Sequence, residues 1–294
     1  MSKILVTGAA GFIGVYVTEH LLAQGYDVIA LTNSKKLDMR AKRLTIIAAD
    51  ICDEDFAEKT VQAIGQCQAV IHLAADIRVP GDGRTITANC LGTYHVVELA
   101  NRLSADKFIY LSSVPIIGKP VDVPITEEHP AHPETLYHIT KLTGEEIVKK
   151  VGVSGMKKVM LRIPSPIGRG MRQNVFLYRM LEQCRKGQDI LLYGAGGRVQ
   201  NYVDVRDIAE AVGLSVVRDT EGVFLIGGES ISNLQLAEKC IARTKVGVQI
   251  RFAGVEDAAE AERWEISGEK AKAVLGYEPR YMLDDTIDWI YGEE

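Results

Sequence analysis

Tyr137 and Lys141 stand four residues apart in the stretch Tyr137-His138-Ile139-Thr140-Lys141. On a helix that spacing puts both side chains on one face, a turn apart. A free phenol, with a pKa of about 10, is useless as a base at neutral pH. A neighbouring ammonium favours the phenolate and draws the pKa down toward the working range. The pair therefore predicts general acid–base chemistry at a hydroxyl or carbonyl group. Ser113, just beyond an apolar run at 107–111, is placed to hydrogen-bond the same oxygen. Taken alone, Tyr-x-x-x-Lys also describes many solvated helix faces, so the surrounding elements must decide.

Residues 3–7, 27–31, 44–49, 69–74, 107–111 and 159–163 are short runs rich in Val, Ile and Leu, without polar alternation. Such runs suit strands buried on both faces of a parallel sheet. Helical stretches separate them, the first at 11–23. The alternation predicts an α/β fold, a Rossmann-type doubly wound parallel sheet. After Ile163 the regularity breaks at Pro164, Pro166, Gly168 and Gly170. The segments at 202–205 and 222–226 are expected to rejoin the sheet. The resulting division is a cofactor domain at 1–165, with 196–227 returning to it. A smaller, discontinuous C-terminal substrate lobe comprises 166–195 and 228–294.

Thr7-Gly8-Ala9-Ala10-Gly11-Phe12-Ile13-Gly14 fills the turn between the first strand and the first helix. The glycines allow a tight turn and close approach of the backbone to a pyrophosphate. The helix N-terminus adds N–H donors and a favourable dipole. The spacing is G-x-x-G-x-x-G rather than G-x-G-x-x-G, so the position of the motif carries the argument. NAD(P) is the expected cofactor, with Gly8, Gly11, Phe12, Ile13 and Gly14 against it. A reacting carbinol or carbonyl then sits between Ser113 and Tyr137, beside the nicotinamide. The second strand runs on into Thr32-Asn33-Ser34-Lys35-Lys36. An NAD-preferring site carries an acid for the ribose 2′-hydroxyl where Thr32 stands. Thr32, Ser34 and Lys35 suit a 2′-phosphate instead, and the expectation leans toward NADP.

The 294 residues are 47% hydrophobic and 25% charged, with a net charge of −5. That balance argues for a globular chain and against a nucleic-acid partner. The five cysteines are odd in number and form no C-x-x-C pair, which predicts thiols in a reducing compartment and no metal site. No apolar run is long enough to span a bilayer, and the first strand leaves no room for a targeting segment ahead of it. A cytoplasmic protein acting on a small molecule, with no membrane partner, is expected.

In this order the motifs resemble those of the extended short-chain dehydrogenase/reductase family, the NAD-dependent epimerases and dehydratases, over nearly the whole chain. Residues 7–14 match its glycine motif, Asp50-Ile51 its adenine-side pair, and His72-Leu73-Ala74-Ala75 its fourth-strand signature. Asn89 with Gly92-Thr93 resembles its N-x-x-G-T helix, and Ser112-Ser113 with Gly118 its serine motif. Tyr137 and Lys141, trailed by Glu145, resemble its catalytic pair. Residues 202–207 and Leu275-Gly276-Tyr277-Glu278-Pro279 match its two late motifs. The resemblance implies that Tyr137 is the general acid/base and that Lys141 binds the nicotinamide ribose and tunes Tyr137. It implies that Ser113 orients the reacting oxygen and that Asp50 and Ile51 bracket the adenine. Leu73, Ala74, Ala75, Asn89 and Pro164 are implied at the cofactor, and Ser112 and Ser113 at the substrate.

Departures from the family pattern concern the substrate side. Ser165 stands where nucleotide-sugar epimerases carry Asn. Gln200 stands where they carry a diphosphate-binding Arg, with Arg198 displaced by two residues, and 255–258 lacks their R-x-G-D. Asn174-Val175 and Tyr193 do match positions that cradle the nucleotide. Ser165, Asn174, Tyr193 and Arg198 are therefore the expected substrate contacts. Val114-Pro115 replaces the Asp-Glu pair of the dehydratases, which argues against 4,6-dehydration. The leading expectation is a sugar or nucleotide-sugar epimerase. An NADPH-dependent ketoreductase on a non-nucleotide substrate and a non-enzymatic dinucleotide sensor are the alternatives, and the retained Tyr–Lys pair argues against the second. The helices near 88–102 (Val96, Val97, Leu99) and 137–150 (Leu142, Ile147) have counterparts in the family that pair across a two-fold axis, which implies a homodimer.

Overall fold

A computed structural model describes residues 2–244 and 247–292. Residues 1, 245–246 and 293–294 of the expected domains lie outside the described residues. In chain order the first half comprises β1 (Lys3–Thr7), α1 (Phe12–Ala23), β2 (Asp27–Thr32), β3 (Leu44–Ala48), α2 (Phe56–Ile64), β4 (Ala69–His72) and α3 (Gly83–Ile86). A π-helical turn, Thr87–Leu91, leads into α4 (Gly92–Arg102), followed by β5 (Lys107–Ser113), α5 (Leu136–Val151) and β6 (Lys157–Ile163). The second half comprises β7 (Ser165–Ile167), α6 (Phe176–Arg185), β8 (Ile190–Leu192), β9 (Val199–Asp204), α7 (Val205–Val217) and β10 (Gly222–Leu225). It ends with β11 (Glu229–Ser232), α8 (Asn233–Ile241), β12 (Ile250–Phe252) and α9 (Leu283–Tyr291).

Seven parallel strands form the main sheet in the order β3-β2-β1-β4-β5-β6-β10. This is the doubly wound Rossmann topology that the apolar runs predict. The interior strands are apolar on both faces because both faces are covered. Ile4 and Val6 of β1 join a core with α1 and α7, while Leu5 joins the opposite core with α2, α4 and α5. On β5, Ile109 and Leu111 face the first core, and Phe108 and Tyr110 the second. Each such side chain, fully buried, contributes roughly 1.5–3 kcal/mol. At the edge, Ile46 of β3 is exposed.

The strand order reverses between β1 and β4, which opens a crevice at their carboxyl ends. Gly8 makes the turn there with φ +69°, and a Cβ on it would lie 2.7 Å from the Ala74 nitrogen. A Cβ on Gly14 would strike the Gly8 carbonyl at 2.1 Å. Both positions therefore exclude a side chain.

Three expectations change. The segment around 202–205 does not rejoin the main sheet: β9 pairs with β7 in parallel and with β11 antiparallel in a separate three-stranded sheet. Only β10 returns to the main sheet, beside β6. Strand β5 continues through Ser113 instead of stopping at Leu111. Val96, Val97 and Leu99 are fully buried against the sheet. The apolar face that those three residues form covers the core and is not available to a partner. A third core, built on α6, α8 and α9, underlies the small sheet.

Candidate active site

Helix α5 starts on Thr135, whose Oγ1 accepts a hydrogen bond from the His138 backbone N–H (3.2 Å). Tyr137 thus falls in the first turn and Lys141 in the second. The helix is tied to the sheet by a buried ion pair. Arg162 of β6 donates Nε and Nη2 to the two Glu145 carboxylate oxygens (2.9 Å each). Ser112 Oγ donates to Glu145 Oε1 (2.6 Å). Burial opposes the Glu145 charge, but Arg162 and Ser112 hold its carboxyl below the usual range.

This network separates the two serines. Successive strand residues point to opposite faces, and the Ser112 hydroxyl is spent on Glu145. Ser112 is therefore a brace beneath α5 and not a substrate contact. Ser113 stands next to it in register with Ile163, 7% exposed. Asn89 is also a brace. Its Nδ2 donates to Thr140 Oγ1 and to the Asp76 carbonyl (2.9 Å each), and its Oδ1 accepts from the Asp76 N–H (2.7 Å). It joins the π-helical turn to α5 and to the loop after β4.

The electrostatics differ from the simple pair picture. Enclosure pushes the Tyr137 phenol up to about 12, and the cation that opposes this is Arg172. Burial pushes the Lys141 ammonium down to about 7, against the pull of Glu145 and Cys90. Desolvation outweighs the attraction that the four-residue spacing suggests. Lys141 Nζ lies over the ring of Tyr110, 3.9 Å from its centroid.

Two cavities flank these elements. The first, 750 Å³, follows the crevice at the sheet's reversal point. Gly8, Gly11, Thr32, Ser34, Lys35, Asp50, Ile51, Leu73, Ala74 and Ala75 line it. Of the remaining expected cofactor residues, Phe12 packs against the third core and Ile13 against the first. Gly14 serves the turn. Pro164 follows β6 and, like Tyr137 and Lys141, lies outside the crevice lining. Arg78, in the loop after β4, and Arg84, on α3, also line the crevice, a contribution that no motif marks. Both pair with Asp82, and Arg78 pairs with Asp76 as well. No group of three His, Cys, Asp or Glu residues placed to share a metal ion occurs among the described residues.

The second cavity, 1180 Å³, is lined by residues from 165 to 258. Ser165, Tyr193 and Arg198 line it; Asn174 is exposed outside it. Arg198 pairs with Glu262 (3.0 Å), and the Gln200 amide oxygen accepts from its Nε (2.8 Å). Arg169 donates to the Trp289 carbonyl (2.9 and 2.6 Å) and lies against that residue's ring. Arg179 of α6 lines the cavity and makes no side-chain hydrogen bond or ion pair among the described residues. Its place could not be read from spacing, because the turn that aims α6 at the cavity is irregular.

A doubly wound parallel sheet with a glycine turn at its reversal point, and a helix presenting Tyr and Lys one turn apart beside it, define a dinucleotide-binding oxidoreductase fold. The NAD dependent epimerase/dehydratase family model matches residues 4–227, and the chain belongs to that family. It is 29% identical to a UDP-glucose 4-epimerase of Lacticaseibacillus casei, over 98% of this chain and 94% of that protein. Crystal structures of UDP-glucose 4-epimerases superpose over 99% of this chain. The Thermotoga maritima enzyme with UDP-glucose does so with a TM-score of 0.87, 26% identity and 97% of its own chain covered. The Thermus thermophilus enzyme with NAD does so with a TM-score of 0.85, 25% identity and 100% covered. The chain is thus an NAD-dependent epimerase/dehydratase-type oxidoreductase, and no helix among its described residues is long and apolar enough to cross a membrane.

Proposed function

We propose that the protein is a nucleotide-sugar epimerase in which Ser113, Tyr137 and Lys141 act on one secondary alcohol. Tyr137 takes the carbinol proton and later returns it, Ser113 holds the same oxygen, and Lys141 supports the phenolate. The crevice from Gly8 to Ala75 would hold the dinucleotide, which would supply the hydride acceptor and donor for the two half-reactions. The observation that carries this reading is the second cavity. At 1180 Å³ it exceeds the usual range of small-molecule sites, about 300–1,000 Å³, and has room for a nucleotide as well as a sugar. Val114 is fully buried beside Ser113, so the acid that a 4,6-dehydration needs has no place there.

The lining at 173–193 and 233–258 supports a substrate lobe at 166–195 and 228–294, with Arg198, Gln200 and Tyr202 reaching the same cavity from the 196–227 segment. Arg198 in the cavity lining is neutralised by Glu262, and Arg169 is occupied by the Trp289 carbonyl. We assign the diphosphate to Arg179, which among the described residues is the lining cation without an ion pair. Titrating UDP by calorimetry tests this. Arg179→Ala should weaken binding by at least tenfold, the scale of one lost charge-assisted hydrogen bond, about 1.5–3 kcal/mol. Arg198→Ala should weaken it less. No UDP binding to the native protein would overturn the nucleotide-sugar reading.

For the cofactor, Thr32, Ser34 and Lys35 at the end of β2 line the crevice with no carboxylate among them, which supports NADP(H) at least as well as NAD(H). For assembly, Ile86, Leu91, Tyr94 and Ile139 are exposed on α3, on the turn before α4, on α4 and on α5. We propose that they form the face of a homodimer.

A further inference from the structure

Lys141 is only 3% exposed, and its ammonium makes no hydrogen bond or ion pair among the described residues. The charged and titratable groups around it come from four elements. Glu145 on its own helix is committed to Arg162 and Ser112. Cys90 lies in the turn before α4, and His72 on β4 is held neutral, burial lowering its pKa to about 3. The fourth is Tyr110 on β5, whose ring centroid is 3.9 Å from Lys141 Nζ.

Tyr110 has nowhere to go. It is 0% exposed. On one side its ring meets His72, centroid to centroid at 5.6 Å. That imidazole is itself fixed between Thr7 Oγ1 (2.7 Å) and Thr93 Oγ1 (3.0 Å). On the other side α5 closes over the phenol at Gly144, where a Cβ would lie 2.1 Å from the Tyr110 oxygen. The hydroxyl makes no hydrogen bond of ordinary geometry among the described residues, although the Thr93 side chain approaches it. A buried tyrosine usually has a partner for its hydroxyl, so what this site uses is the ring face. An ammonium over an aromatic face is attracted by the ring quadrupole, most strongly when both are out of water.

We propose that Tyr110 is a positioning residue whose locked ring keeps the Lys141 ammonium charged and in place. The proposal rests on the reading that Lys141 belongs to the catalytic pair. It follows that Tyr110→Phe, which keeps the ring and deletes only the phenol oxygen, leaves Lys141 as it is. Tyr110→Leu keeps an apolar side chain and removes the quadrupole, and Lys141 then loses its proton at lower pH.

The experiment is an NMR titration of ¹⁵Nζ-labelled lysine, with the Lys141 signal identified by its disappearance in Lys141→Met. In Tyr110→Leu the Lys141 titration should move down by about one pH unit, and in Tyr110→Phe it should stay with the native protein. Should the leucine variant fail to fold, phenylalanines carrying one, two and three ring fluorines at position 110 replace it. Fluorination drains the ring face at nearly constant size, and each added fluorine should lower the titration further. A Lys141 titration unmoved in Tyr110→Leu or across the fluorine series overturns the proposal. Turnover on UDP-galactose separates the two claims. A Lys141→Met variant as active as the native protein removes the catalytic reading. A shifted titration with that activity intact would still confirm the Tyr110–Lys141 interaction and refute its catalytic use.

Discussion

At the scale of single residues, the proposed proton-handling group is the phenol of Tyr137, enclosed in a site that pushes its pKa up to about 12. A phenol so held keeps its proton at neutral pH, so the proposed first step draws on its phenolate, and the protonated form that results then donates a hydrogen bond to the reacting oxygen. Tyr137→Phe removes that donor and nothing else. Turnover should fall by roughly 10²–10⁴-fold, with the melting temperature and cofactor affinity close to native. Stopped assays beside a cofactor titration check both halves, and a variant with near-native turnover would refute the assignment. The Tyr–Lys spacing was legible because a helix repeats every turn whatever surrounds it. The order of pKa effects was not, because desolvation depends on what packs over a side chain. Ser112 shows an error that strand geometry corrects. Alternation along β5 sends its hydroxyl to Glu145 and away from Ser113, which becomes evident only once the strand is known to reach residue 113.

At the scale of elements, the end of β2 carries the proposed lean toward NADP(H). Thr32 is buried, while Ser34 and Lys35 are exposed in the crevice lining. Lys35 makes no ion pair among the described residues, so its charge is available to a 2′-phosphate. Competitive fluorescence titration with NADPH and NADH should give NADPH the equal or lower dissociation constant. Lys35→Ala should weaken NADPH by several-fold and leave NADH nearly unchanged. A clear preference for NADH in the native protein would mean that the lysine does not face the ribose. Here the strand and its turn were readable from composition. The fate of β9 was not. Its apolar residues announce a strand, but a strand's partner depends on the path of the chain. The Pro-Gly stretch at 164–170 carries β7 off the main sheet before β9 pairs with it.

At the scale of the whole molecule, the exposed apolar residues on α3, α4, α5 and the turn before α4 contrast with the fully buried Val96, Val97 and Leu99 of the same helical layer. The layer has an inner face that the sheet uses and an outer one that water meets. A homodimer through the outer face should appear by light scattering at micromolar concentration as about twice the 32.3 kDa chain mass. The double variant Leu91→Glu, Ile139→Glu should run as a folded monomer, because two charges would lose their water on association. A native monomer at that concentration would count against the dimer. Sequence periodicity marked these helices as apolar but did not divide the two faces. That division needs the rotation of each helix against the sheet.

The clamp of Arg162, Glu145 and Ser112 has a stereochemical consequence under the proposed epimerisation. It fastens the helix that bears Tyr137 to the two strands β5 and β6, the first of which bears Ser113. The donor and the serine then travel as one rigid block and cannot exchange sides of the reacting carbon. Inverting that carbon requires the flat ketone to present its other face to a stationary hydride source. The turning part must be the sugar itself, pivoting about the bonds that join it to its anchored phosphates. A site working this way needs empty swing room more than a close mould of either epimer. Stereochemical indifference at the pivoting ring, with strict recognition at the tethered end, is what such a mounting would select.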